Sequence, residues 1–154
     1  DAVMAGTVAA LCGLFGSLIR PVGGYLADRQ GGLRILYYVL PIIVGSVVAV
    51  TSPSLPMAVA MMVVAVGAMG FGNGVVFQLV AEWFPKDIGL ASGVVGAAGG
   101  FGGFLLPVVA GTMKGFTGTY DLGLWLFAGF GVCAWGTVIV ALRARAASLA
   151  GPSS

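Results

Sequence analysis

Arg20 is the charged residue that the sequence places deepest inside an apolar segment. It lies eight residues before Asp28, where that segment ends. A helix rises about 1.5 Å per residue, so Arg20 would lie roughly 12 Å from the membrane surface, close to the bilayer midplane. A guanidinium at that depth costs at least ~2.5–3.5 kcal/mol, so it requires a partner or a water-filled cavity. Its planar fork of N–H donors suits a small oxyanion.

Residues of two later segments lie at the same calculated depth. Asn73 lies nine residues before Glu82, and Gly99 lies ten residues after Gly89. Both are therefore roughly 13–15 Å from the same membrane face as Arg20. If the helix faces converge, the Asn73 amide and the backbone of the glycine stretch would join the Arg20 guanidinium around a small planar anion. Phenylalanine rings could add flat apolar walls. Besides Arg20, the candidate substrate site consists of Asn73, Phe77, Gly99, Gly100 and Gly103.

Each of these residues also has a purely structural interpretation. Arg20 could extend to the interface or pair within the bundle, and Asn73 could hydrogen-bond to another helix. Phe77 and Phe101 could simply pack or face lipid. Glycines four residues apart, such as Gly96 and Gly100, form a ridge that allows another helix to pack closely.

The sequence argues against several classes of chemistry. It contains no His, and Cys12 and Cys133 each lie in an apolar run, where thiols usually serve in packing. We therefore expect no metal site, no cofactor and no catalytic residue, and the chain is not expected to be an enzyme. No Asp, Glu, Lys or His lies within a span, so any proton-carrying carboxylate would come from elsewhere in the protein. The net charge of +2 gives no reason to expect a nucleic-acid partner.

Composition identifies the elements that position these residues. Hydrophobic residues make up 59% of the 154 residues and charged residues 8%, with a mean hydropathy of +1.08, which excludes an ordinary soluble domain. The apolar runs are each near the ~20 residues that cross a bilayer as a helix, and they lack the alternation of a membrane barrel. The small, polar tail at residues 147–154 is expected to be disordered. We predict an all-α polytopic membrane helix bundle with five transmembrane helices, at residues 3–27, 33–50, 56–81, 89–113 and 122–142.

Basic residues between the spans predict the orientation of the chain. Five of them fall on one side, and Lys114 falls on the other. The positive-inside rule places the larger group in the cytoplasm, so the N-terminus of the chain faces outward and the C-terminus inward. Glu82 is expected to be a solvated charge at a span end. The five basic residues on the cytoplasmic side are Arg29, Arg34, Lys86, Arg143 and Arg145.

Three motifs resemble those of a known family. Residues 23–32, GGYLADRQGG, resemble the loop motif G-x-L-x-D-R-x-G of the major facilitator superfamily in its second-half copy. Residues 70–81 and 91–107, the latter ASGVVGAAGGFGGFLLP, resemble the glycine-rich nitrate signature of the nitrate/nitrite porter family. Residues 20–24 resemble that family's basic helix. The resemblance covers nearly the whole chain, as helices eight to twelve of a twelve-helix transporter.

The resemblance implies an architecture and a function. Residues 1–146 would be a partial C-terminal six-helix bundle of a major-facilitator fold, without its first helix. The implied function is transport of nitrate or nitrite by alternating access in the bacterial inner (plasma) membrane. The implied partners are the anion, the lipid bilayer and the missing N-terminal half.

The resemblance also implies roles for individual residues. Arg20 matches the second-half arginine that binds the substrate anion. The run at residues 96–103 matches the helix that lines the pathway and moves during alternating access. Gly24, Asp28 and Arg29 match the cytoplasmic motif that locks the two halves in one state.

Several alternatives remain open at the level of sequence. The parent protein could be a nitrate/nitrite exchanger or a proton-coupled nitrate importer. A transporter of the same superfamily could carry another small anion or an organic acid. A membrane-embedded enzyme lacks an in-span nucleophile, base or metal ligand, and a structural membrane subunit leaves a deep arginine unexplained.

Overall fold

The structure, a computed structural model, describes residues 2–52 and 54–150, and five α-helices account for nearly all of that range. All five are long and apolar enough to cross a membrane, and no strand occurs among the described residues. The predicted all-α bundle of five spanning helices is therefore confirmed. The helices are α1 (Ala2–Gln30), α2 (Gly32–Ala49), α3 (Leu55–Trp83), α4 (Ile88–Thr117) and α5 (Asp121–Ala150).

Glycine sets two of the helix ends. Gly31 separates α1 from α2 with φ of 86°, and Gly118 ends α4 with φ of 79°. Both values lie in the left-handed region, which glycine adopts without a steric penalty. Helix α5 runs past its predicted span to Ala150, so residues 147–150 of the expected tail are helical. Residues 151–154 lie outside the described part of the chain.

Helices α1 and α3 touch through their backbones. A Cβ on Gly70 would overlap the carbonyl oxygen of Gly16, and a Cβ on Gly74 would overlap that of Arg20. A Cβ on Gly23 would likewise overlap a carbonyl oxygen of α3. The contacts of Gly16 with Gly70 and of Arg20 with Gly74 advance together along both helices, which therefore run parallel. We call Gly16, Gly23, Gly70 and Gly74 the glycine seam, because larger residues would force the helices apart.

Helix α2 lies at the centre of the bundle, between α3 and α5. Its buried side chains Leu36, Val39 and Ile43 cover Gly72 of α3. Val75 of α3 is fully buried in the same interface. Since lipid tails are as apolar as these side chains, close packing rather than water exclusion stabilises such a contact in a membrane.

Helix α4 is the least packed helix of the described chain. It contacts α5 and, less extensively, α3, and it has no contact with α1 or α2. It approaches α5 closely where Ala110 lies against Gly123. Helix α4 contains no buried residue, so most of its surface is open in the described bundle.

Replacing Gly74 by Ala tests the glycine seam. The added methyl group would overlap the carbonyl oxygen of Arg20, and overpacking of this kind costs about 1–3 kcal/mol. We expect Gly74→Ala to lower the thermal unfolding midpoint of the purified full-length protein in detergent. Gly45→Ala in α2 is the matched control, because a Cβ at Gly45 meets no atom within 4 Å. Equal midpoints for the two variants would contradict the seam.

Candidate functional site

Arg20 is fixed by its backbone while its side chain extends into open space. Its carbonyl oxygen touches α3 at Gly74, which holds Arg20 at a level nine residues before the end of that helix. Its guanidinium is exposed and makes no hydrogen bond, ion pair or aromatic contact with any described residue. The next residue, Pro21, has no N–H, so the carbonyl of Ser17 lacks its helical donor. An uncompensated cation therefore lies beside a local break in the helical hydrogen bonding.

Asn73, one of the predicted partners of Arg20 on α3, lies on a different side of that helix from the seam. Gly74 contacts α1, whereas Asn73 lines a cavity of about 340 Å³ between α2, α3 and α5. Asn73 carries the one polar side chain of that lining, and no hydrogen bond joins it to Arg20. Phe77 does not line this cavity; it lies three residues after Gly74 and seven after Gly70, on the seam side of α3, and it is 38% exposed. Arg20 and Asn73 thus share a level, but their side chains do not meet.

The glycines of α4 are not brought to Arg20 by the described helices. A Cβ on Gly99, Gly100 or Gly103 would meet no atom within 4 Å. Phe101, in the same stretch, is 66% exposed. Because α4 has no contact with α1, the glycine ridge of α4 is an open surface within the described chain.

The motif at the end of α1 presents its charges outward. Gly24 lies against Gly74, so the motif begins at the glycine seam. Asp28 is exposed and has no ion pair with any described residue. The Arg29 guanidinium lies 4.5 Å from the centre of the Tyr25 ring, a cation–π contact within α1. Asp28 thus remains accessible to a partner from outside these five helices.

Sequence reasoning missed an ion pair between α3 and α5. Arg145 Nη2 lies 3.3 Å from Glu82 Oε1, so Glu82 is paired rather than simply solvated. The pair bridges two helices that have no backbone contact with each other. A signal was present in the sequence, since both residues fall at the same predicted membrane face, but span counting does not show which helices are neighbours.

The described residues contain no group of three His, Cys, Asp or Glu side chains that could hold a metal ion. Both cysteines are free thiols; Cys12 is buried and Cys133 is exposed. Cys12 lies eight residues before Arg20 on α1, and Cys133 lies on α5, which has no contact with α1. The chemistry that the described side chains offer near Arg20 is therefore hydrogen bonding and positive charge.

Comparison with known proteins gives named relatives. The chain is 37% identical over 108 residues to the "Nitrite extrusion protein" of Bacillus subtilis (strain 168), an alignment covering 70% of this chain and 27% of that protein. It is 32% identical over 140 residues to the "Probable nitrate transporter NarT" of Staphylococcus haemolyticus (strain JCSC1435), covering 90% and 36%. It is 34% identical over 134 residues to the protein of the same name from Staphylococcus carnosus (strain TM300), covering 86% and 34%.

These relatives confirm the resemblance to nitrate/nitrite porters that the motifs predict. The chain spans 27% to 36% of the length of these curated relatives. No family model matches the chain, and no solved structure matches it.

The ion pair between α3 and α5 predicts a small, salt-dependent coupling. Because Arg145 and Glu82 are 54% and 35% exposed, the pair is screened by water, and its coupling energy is expected to be about 0.2–1 kcal/mol. A double-mutant cycle with Glu82→Gln and Arg145→Gln, read from unfolding in detergent, measures it. The coupling should shrink as ionic strength rises. A coupling that does not change with salt would show that the two side chains interact by packing.

Proposed function

We propose that this chain forms part of a transporter that carries nitrate or nitrite across a membrane. The proposal follows from its similarity to proteins named for nitrate transport and nitrite extrusion. The observation that carries the proposal is Arg20, a cation inside an apolar helix with no charge partner among the described residues. An uncompensated charge at bilayer depth is costly, and such residues usually mark ion or substrate pathways. A substrate anion would neutralise it.

The proposed role of Arg20 is to bind the anion directly. Nitrate and nitrite are small and planar, and two of their oxygens can accept the parallel N–H donors of one guanidinium. The backbone contact with Gly74 supports this role, because it fixes the origin of a long side chain. We assign Asn73 and Phe77 to the wall of the same pathway, since they lie at or near this level on α3.

The proposed mechanism is alternating access between this chain and a preceding half of the protein. The open glycines of α4, including Gly99, Gly100 and Gly103, give a surface on which the other half could slide at close range. Asp28 and Arg29, together with Gly24, would form the cytoplasmic contact that holds one state. Asp28 supports this role because it has no partner within the described helices.

The proposed location is the bacterial inner membrane, with the C-terminus of the chain in the cytoplasm. The unequal distribution of basic residues supports the orientation, and the bacterial origin of the relatives supports the membrane. We propose transport without a catalytic step, because the named relatives are transporters. Nitrate or nitrite, the other half of the protein and the lipid bilayer are then the partners.

Arg20→Lys tests the proposed anion site. An ammonium keeps the charge but cannot reproduce the planar pair of donors, so we expect nitrate uptake into proteoliposomes to fall at least about tenfold. Arg34→Lys is the control, since Arg34 is exposed at the start of α2, two residues after the helix begins at Gly32. The amount of protein inserted should be equal for both variants.

Two results would overturn parts of this proposal. Wild-type nitrate uptake by Arg20→Lys would remove Arg20 from the site. Uptake of another small anion or an organic acid, without nitrate or nitrite transport by the unmodified protein, would retain an anion site and reject the substrate.

Gly100→Leu tests the proposed sliding surface of α4. Gly100 is exposed, and a Cβ there meets no atom of the described helices within 4 Å, so folding of this bundle should be preserved. Close contact with the other half would be lost, and exchange of labelled nitrite for nitrate should stop. Gly129→Leu in α5, also an open position, should transport normally. Equal exchange rates for the two variants would exclude a close contact at Gly100.

A further inference from the structure

Helix α2 contains a proline in the middle of its span. Pro41 has no N–H, so the carbonyl oxygen of Tyr37, four residues earlier, loses the donor that an α-helix would provide. In a bilayer no water replaces that donor, and a carbonyl left unpaired in an apolar environment is costly. The hydrogen-bonding partner of Tyr37 therefore has to come from another part of the protein.

A side chain of α5 supplies the missing donor. Trp135 Nε1 donates to the carbonyl oxygen of Tyr37 at 2.9 Å, across 98 residues of sequence. The Trp135 ring also packs against the Tyr37 ring, with centroids 5.7 Å apart and planes tilted by 39°. An indole can donate one hydrogen bond and accept none, so the bond to Tyr37 uses the whole hydrogen-bonding capacity of the Trp135 indole.

The other two prolines inside spans lack this arrangement. Pro21 in α1 removes the donor to Ser17, and Pro107 in α4 removes the donor to Gly103. No side chain of another helix donates to either carbonyl within the described part of the chain. Of these three prolines, Pro41 alone has its missing donor replaced by a side chain of a neighbouring helix. This selectivity argues against an incidental aromatic contact.

The position of Pro41 makes this hydrogen bond important for the rest of the bundle. Val39 and Ile43, on either side of Pro41, both pack on Gly72 of α3. Just beyond Pro41, Val44 lies against Gly131 of α5. A change in the direction of α2 at Pro41 would therefore alter its spacing from both neighbours and the shape of the cavity that Asn73 lines.

We infer that Trp135 is a positioning residue for α2: its indole N–H replaces the donor missing at Pro41 and fixes the direction of the helix there. This role does not depend on which anion the protein carries. It makes a specific prediction, because restoring the backbone N–H at position 41 should make the indole N–H dispensable.

A double-mutant cycle in the full-length protein tests this inference. Trp135→Phe keeps an aromatic ring but removes the donor, and it should lower the thermal unfolding midpoint in detergent by roughly 2–4 °C, the shift expected for one hydrogen bond. In a Pro41→Ala background the new Ala N–H can bond to Tyr37, so the same replacement should cause at most half that shift. Trp125→Phe, also in α5, is the control, since Trp125 is 55% exposed and makes no hydrogen bond through its indole.

A second measurement uses the protein without the proline change. With ¹⁵N-labelled tryptophan, the indole N–H of Trp135 should exchange with solvent more slowly than that of Trp83 or Trp125, and its proton should resonate downfield. Equal losses from Trp135→Phe in both backgrounds would overturn the inference. So would an indole N–H of Trp135 that exchanges as fast as the other two.

Discussion

Inside a bilayer the backbone cannot hydrogen-bond to water, so its N–H and carbonyl groups have to find partners within the protein. This requirement explains why the described chain is helical nearly throughout, and why prolines inside its helices require compensation. At Pro41 an indole from another helix provides it. At Pro21 the freed carbonyl belongs to Ser17, within one turn of Arg20. The need to pair backbone groups thus explains the helical fold, and it also identifies the freed Ser17 carbonyl near Arg20 as a polar site within the membrane.

The helix contacts of the bundle differ in kind, and this difference bears on the proposed mechanism. At the glycine seam, α1 and α3 meet backbone to backbone, so a side chain larger than glycine would separate them. The α2–α5 contact instead uses larger side chains, including Trp135. Helix α4 is held least, and it is the helix to which a moving role is assigned. In the proposed mechanism Arg20 is carried by the closely packed pair α1 and α3, while α4 offers an open surface to the other half of the protein.

Hydropathy predicted the five helices because a bilayer imposes both their length and their composition. Depth counting predicted that Arg20 and Asn73 lie at one level, and the contact of the Arg20 carbonyl oxygen with Gly74 agrees with this, because the rise of a helix is constant. Which helix faces meet was not predictable. The glycine content of α4 predicted close helix packing at its ridge, yet the close backbone contacts in the described chain involve Gly16, Gly70 and Gly74. The partners of Glu82 and Tyr37 could not be predicted either, because both lie on α5, far along the sequence.

The contact between Gly74 and the carbonyl oxygen of Arg20 has a consequence for exchanging parts between related transporters. Arg20, which we propose binds the anion, belongs to α1. Its main chain fits against α3 only because Gly74 has no side chain. A chimera that took α1 from a relative and kept α3 would fold only if small residues faced each other at the positions of the glycine seam. Helices α1 and α3 therefore form a single unit of exchange, although α2 separates them in the sequence.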